Sequence, residues 1–116
     1  MKPVVIVSDR ICNFLSFFIY VGAITLFPFI IVRSEYNNTI TINHEKIHIE
    51  QQKELLVVFF YILYVYYWIK GKVKGLSNDA AYLQIPFEQE AYRKQYDSKY
   101  LESRKRWDWI KFRNLY

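Results

Sequence analysis

The chain has 116 residues, 53% of them hydrophobic and 20% aromatic, only three glycines and three prolines, and a net charge of +5. That length suits one domain with one core; the aromatic content excludes a disordered chain, and the scarcity of glycine and proline excludes a low-complexity linker or a many-turned β-protein. The charge is uneven, at +1 over residues 1–32, −1 over 33–54 and +5 over 70–116. A basic end after an apolar run suggests anionic lipid or nucleic acid as a neighbour. Cys12 is the single cysteine, so no internal disulfide can form, which fits a reducing compartment.

Residues 3–7 are short and β-branched and read as a strand or extended lead-in. Ser8 or Asp9 can cap a helix over about 10–21. The segment Ile24-Thr25-Leu26-Phe27-Pro28-Phe29-Ile30-Ile31-Val32 reads as a strand over about 24–33, which proline confines mainly to an edge. Asn37-Asn38 is a turn signal and Thr39-Ile40-Thr41-Ile42 alternates, so a hairpin of 26–34 with 39–42 is expected. Asn43 can then cap a long helix over about 44–69, ended by Lys70-Gly71-Lys72-Val73-Lys74-Gly75. Residues 76–86 read as a loop with a short helical turn. Pro86 suits the start of a helix from Phe87 to about Arg106. The fold class expected is mainly α with a short β-hairpin, in a single domain over 1–116.

Two apolar segments, at about 11–32 and 55–69, point to a membrane. The first is too long for a typical signal-peptide core and does not end in small residues, so no cleavable signal is expected. The second is fifteen apolar or aromatic residues, about 22 Å of helix, short of a hydrocarbon core of about 30 Å. Tyr61, Tyr64, Tyr66, Tyr67 and Trp68 suit the headgroup layer, and Lys70, Lys72 and Lys74 follow. The expectation is a helix that dips into one leaflet or packs against residues 10–21, with the protein on the cytoplasmic face of a plasma membrane. A helix buried in a soluble core is the alternative.

His44-Glu45-Lys46-Ile47-His48 matches H-E-x-x-H. Four residues apart on a helix, two imidazoles share a face and can reach one zinc ion, Zn2+, at about 2.0–2.1 Å. Glu45 then lies beside the metal, where it can take a proton from an activated water. The plain alternative is a solvated helix face on which both histidines stand in water. Catalytic zinc commonly takes three protein ligands. The chain has no third histidine, so the third must be a carboxylate: Asp79, Glu88, Glu90, Asp97, Glu102 or Asp108.

Phe87-Glu88-Gln89-Glu90-Ala91-Tyr92 resembles the second motif of gluzincin peptidases. The HtpX and CaaX-prenyl-protease family, and the metallopeptidase domain of contractile injection systems, carry Glu-x-x-Ala-Asp there. The resemblance implies Glu88 as the third ligand and Ala91 as the point where two helices approach. Tyr92 stands where the family has aspartate. Glu90 is the rival ligand; the two lie about 200° apart around a helix, so one metal takes only one of them. The order Ile-Thr-Leu-Phe-Pro-Phe-Ile, Asn-His-Glu-x-Ile-His, an aromatic run and Phe-Glu-x-Glu-Ala-Tyr is also similar to small bacterial HExxH proteins, over most of residues 24–112.

The leading functional expectation is a zinc-dependent metallopeptidase acting on a peptide or protein, with Glu45 as general base and an edge strand at about 26–33 holding the substrate backbone. One alternative is a non-catalytic membrane-associated structural or interaction protein that keeps a zinc-binding motif. Another is a basic nucleic-acid-binding module, suggested by the cations and aromatics from Arg104 to Arg113, though no nucleic-acid fold signature accompanies them.

Overall fold

The computed structural model describes residues 3–16 and 21–113. It is mainly helical, with one small sheet. Strand β1 (Val4–Val7) leads into helix α1 (Asp9–Leu15), which Ser8 caps by accepting the Ile11 N–H at 3.1 Å. The later part of the helix expected over 10–21, residues 17–20, lies outside the described residues.

The segment 24–33 is two strands, not one. β2 (Ala23–Leu26) and β3 (Phe29–Val32) pair antiparallel across the Phe27-Pro28 turn, with Ala23 opposite Val32 and Leu26 opposite Phe29. In the turn, proline's missing N–H costs no ladder bond. β1 then pairs parallel with β3, giving the order β1-β3-β2. β3 is therefore central, and β1 and β2 are the edges.

The hairpin partner expected at 39–42 is also absent. A short 3-10 turn, Ser34–Tyr36, leads into helix α2 (Thr39–Glu54), and Asn38 is its cap, accepting the Thr41 N–H at 2.8 Å. The alternation Thr-Ile-Thr-Ile yields to that cap. Asn43, the cap expected from sequence, instead donates to the carbonyls of Gln95 and Asp97 at 2.8 and 3.1 Å.

The helix expected over 44–69 breaks at residues 55–57 and resumes as α3 (Val58–Val73), bent by 111° from α2. Leu56 and Val57 take φ of 55° and 63° there, a region disfavoured for side chains with a Cβ. What outweighs that strain is packing. Phe60 turns into a cluster with Ile85, Phe87 and Trp109, while Tyr61 donates to Thr25 O of β2 and Tyr64 to Glu88. Among the described residues no single helix is long and apolar enough to cross a membrane, and α2 and α3 pass that test only as this bent pair, by length and composition.

Gly71 lets helix α4 (Asn78–Leu83) approach closely, since a Cβ on it would stand 3.1 Å from the Ala81 Cα. Pro86 opens α5 (Pro86–Lys94), as expected. That helix does not run to Arg106. It stops where Asn43 takes the carbonyls beyond Lys94, and the chain turns through α6 (Tyr100–Ser103) to a final 3-10 segment, Asp108–Phe112. The turn returns Tyr100 and Arg104 to Glu90. α2 packs between β2 and α5, α3 lies against α4, and α1 covers β3.

Candidate metal centre

α2 puts His44, Glu45 and His48 on one buried face, with side-chain ligand atoms all within 4.8 Å of one another. His44 is 6% exposed and His48 4%, which excludes the solvated-face alternative. This buried group could hold a metal ion.

α5 supplies the fourth member. Glu88 sits in the first turn, where the helix dipole favours a carboxylate. Its Oε1 stands 3.1 Å from His44 Nε2 and 3.2 Å from His48 Nε2. Donor atoms at the corners of a tetrahedron with bonds of about 2.0–2.1 Å are about 3.3 Å apart, so this oxygen stands from each of the two nitrogens at about the distance that two ligands of one ion keep. The donor set fits a divalent transition ion.

Both rings are oriented from behind. His44 Nδ1 lies 2.8 Å from Gln95 Oε1, and His48 Nδ1 lies 2.7 Å from Gln51 Oε1. An amide oxygen only accepts, so each Nδ1 carries the proton and each Nε2 is turned toward Glu88. Gln51 is itself fixed, donating to Phe87 O at 3.1 Å and Glu90 Oε1 at 2.9 Å. The other Glu88 oxygen accepts the Tyr64 hydroxyl at 2.7 Å. Tyr92 packs its ring against His44 at 4.5 Å and shares a hydroxyl hydrogen bond with Tyr82 at 2.8 Å.

Glu45 is held by the sheet. Thr25 of β2 donates from Oγ1, which is 3.0 Å from Glu45 Oε1, and Glu45 Oε2 lies 3.7 Å from His44 Nε2. Burial pushes the Glu45 carboxyl up, against the pull of His48 and His44. Burial also resists charge on Glu88 and His48, but their mutual attraction outweighs it. Glu88 is held well below the usual carboxylate range, and His48 is raised to about 9.

The rival carboxylates go elsewhere. Glu90 is fully buried but faces away from the histidines, accepting from Tyr100 at 2.7 Å and from Arg104, which also grips Glu54 at 2.9 and 3.1 Å. Asp97 accepts the Lys99 N–H, and Asp108 the Lys105 N–H. Asp79 and Glu102 are exposed, on α4 and α6.

The strand expected at about 26–33 as a substrate edge is mainly β3, which is paired on both sides, and the outer side of the β2 hairpin is already occupied. Gln52 donates to Thr25 O at 3.0 Å and accepts the Phe27 N–H at 3.0 Å, as a peptide of an added strand would, and Tyr61 donates to the same carbonyl at 2.8 Å. Sequence reasoning missed Tyr64, Gln51, Gln95, Thr25 and Gln52. Gln51 carried a signal, since it lies three residues from His48 on a helix. Tyr64 carried none, because only the break at 55–57 brings it to the site.

No protein-family model, no curated protein and no solved structure matches this chain. A functional reading therefore rests on the site's own chemistry.

Proposed function

We propose that this chain is a zinc-dependent peptide hydrolase in which His44, His48 and Glu88 hold the ion and Glu45 is the general base. The observation that carries the reading is Glu88 Oε1, 3.1 and 3.2 Å from the Nε2 atoms of His44 and His48, with Glu45 alongside. An ion held there supplies Lewis-acid chemistry: it polarises a carbonyl and acidifies water. Glu45 takes a proton from the attacking water and passes it to the leaving amine. Burial pushes its carboxyl up, which favours proton uptake, and the Thr25 hydrogen bond fixes Oε1 in place. The likeness of residues 44–48 and 87–92 to gluzincin motifs supports the same assignment.

The burial of the group supports a second reading, a closed structural metal centre without turnover. Structural zinc sites are enclosed, whereas catalytic ones keep an open position, and His44, Glu45, His48 and Glu88 are all 6% exposed or less.

One experiment separates the two. Purified protein is assayed for bound zinc and for hydrolysis of a mixed peptide substrate, beside Glu45→Gln and His48→Ala. The hydrolase reading expects about one zinc per chain in the wild type and in Glu45→Gln. It also expects activity that falls at least about a hundredfold in Glu45→Gln, with both zinc and activity lost in His48→Ala. Zinc binding with no hydrolysis by the wild type would leave the structural reading standing. Equal metal content in the wild type and His48→Ala would defeat both.

A further inference from the structure

Helix α3 has two unlike sides. Its inward side carries Phe60, Tyr64 and Tyr67 against Phe87. Its outward side carries Val58, Phe59, Ile62, Val65, Tyr66 and Ile69, each at least half exposed. At 100° per residue these six fall within an arc of about 120°, with the Tyr66 hydroxyl as its one polar group. Val73 extends the arc at the far end and is 82% exposed. No described residue covers this face.

The charges that α3 itself carries beside the arc are of one sign. On the same helical wheel Lys70 and Lys72 fall about 20° beyond the two borders of the arc, and Lys74 follows at the helix end. Lys72 lies over the Trp68 ring at 5.9 Å. Residues 55–78 contain no aspartate or glutamate. A second copy docked through this helix would bring no carboxylate from it to answer the lysines. Anionic headgroups answer them, while the arc meets acyl chains and the lysine stems reach outward.

We propose that α3 is a monotopic docking helix that lies in the plane of an anionic lipid surface, arc inward, with the lysines at headgroup level. Its sixteen residues span about 24 Å, less than a hydrocarbon core, and the 111° bend frees it from the direction of α2. Tyr64, which touches Glu88, lies about 200° around the helix from the arc's centre. The histidine centre therefore stands on the side away from lipid. The same exposed stripe and lysine border would exist with no metal at all, so this inference is independent of the proposed chemistry.

The test is co-sedimentation of the full chain with vesicles of phosphatidylcholine alone and of equal phosphatidylcholine and phosphatidylglycerol. Binding about a hundredfold tighter to the anionic vesicles is expected from three lysines, and it should weaken with salt. The double variant Ile62→Asn with Ile69→Asn, checked for fold by circular dichroism, should bind at least about tenfold more weakly, since both side chains are exposed in the protein alone. An environment-sensitive fluorophore on Val65→Cys, in a Cys12→Ser background, should shift to the blue with anionic vesicles, and one on Lys46→Cys should not. No binding to either vesicle, equal binding to both, or unchanged binding by the asparagine variant would overturn the proposal. So would a dimer in ultracentrifugation that the asparagine variant abolishes, because the face would then belong to a second copy.

Discussion

The rings of His48 and Phe60 lie 6.0 Å apart, although the two residues are twelve positions apart in sequence. On an unbroken helix that separation would be about 18 Å along the axis. The difference is the break at Leu55-Leu56-Val57. It folds α3 back so that Phe60 roofs the second histidine while Tyr64 reaches Glu88.

The break stores strain that a substitution can release. Leu56 has φ of 55° and is 73% exposed, so its side chain contributes little burial. Leu56→Gly should raise stability by about 0.5–1 kcal/mol, because relief of the left-handed conformation exceeds the added freedom of the unfolded chain. Urea denaturation of the metal-free protein measures it. A loss of stability would mean that Leu56 makes contacts that outweigh its backbone conformation.

Tyr64 supports Glu88 through one hydrogen bond. Tyr64→Phe keeps the ring that packs beside Phe60 and Phe87 but leaves Glu88 Oε2 without that donor. Zinc affinity should fall about ten- to a hundredfold, the range typical of groups that orient metal ligands. Competition with a chromogenic chelator reads the change directly; unchanged affinity would show that the hydroxyl is not needed to position the carboxylate.

Glu88 and Glu90 should separate cleanly as glutamine variants. Glu88→Gln removes the oxygen shared by both histidines and should cost zinc binding by orders of magnitude. Glu90→Gln should leave zinc binding largely intact but destabilise the fold by about 3 kcal/mol, because Arg104 is left buried with Glu54 alone. Metal titration and denaturation of the two proteins, side by side, decide the assignment, which fails if Glu90→Gln proves the more damaging to zinc.

In the metal-free protein His48 should titrate near pH 9, raised because Glu88 attracts the imidazolium more than burial repels it. A group whose pKa rises on folding contributes stability that is complete below its unfolded value, about 6.5. That contribution is lost as pH climbs through 9. Zinc takes the neutral imidazole, so its affinity should rise with pH across the same window. NMR titration of the two histidines, followed by zinc affinity at several pH values, tests both; a midpoint near 6.5 for His48 would refute the coupling to Glu88.

Local sequence determined a good deal. The spacing of His44 and His48, with no glycine or proline between Thr39 and Glu54, puts two imidazoles and Glu45 on one side of that segment once it is helical. Pro86 opens α5, and a mainly helical class with a small β component follows from composition and pattern. The roughly 200° between Glu88 and Glu90 already allowed at most one of them to face the histidines. Tertiary structure decided the rest. Residues 43–70 contain no glycine or proline, so nothing local marks the break at 55–57. It exists because Phe60 gains burial with Ile85, Phe87 and Trp109, and Tyr61 and Tyr64 gain buried acceptors, which together outweigh two strained residues. The same logic ended α5 at Lys94, where Asn43 captured carbonyls some fifty residues away in sequence. It also closed the β2 edge, where a glutamine from α2 stands in for a strand. Those partners are remote along the chain, and no window of sequence short enough to carry a periodicity contains both members of any such pair.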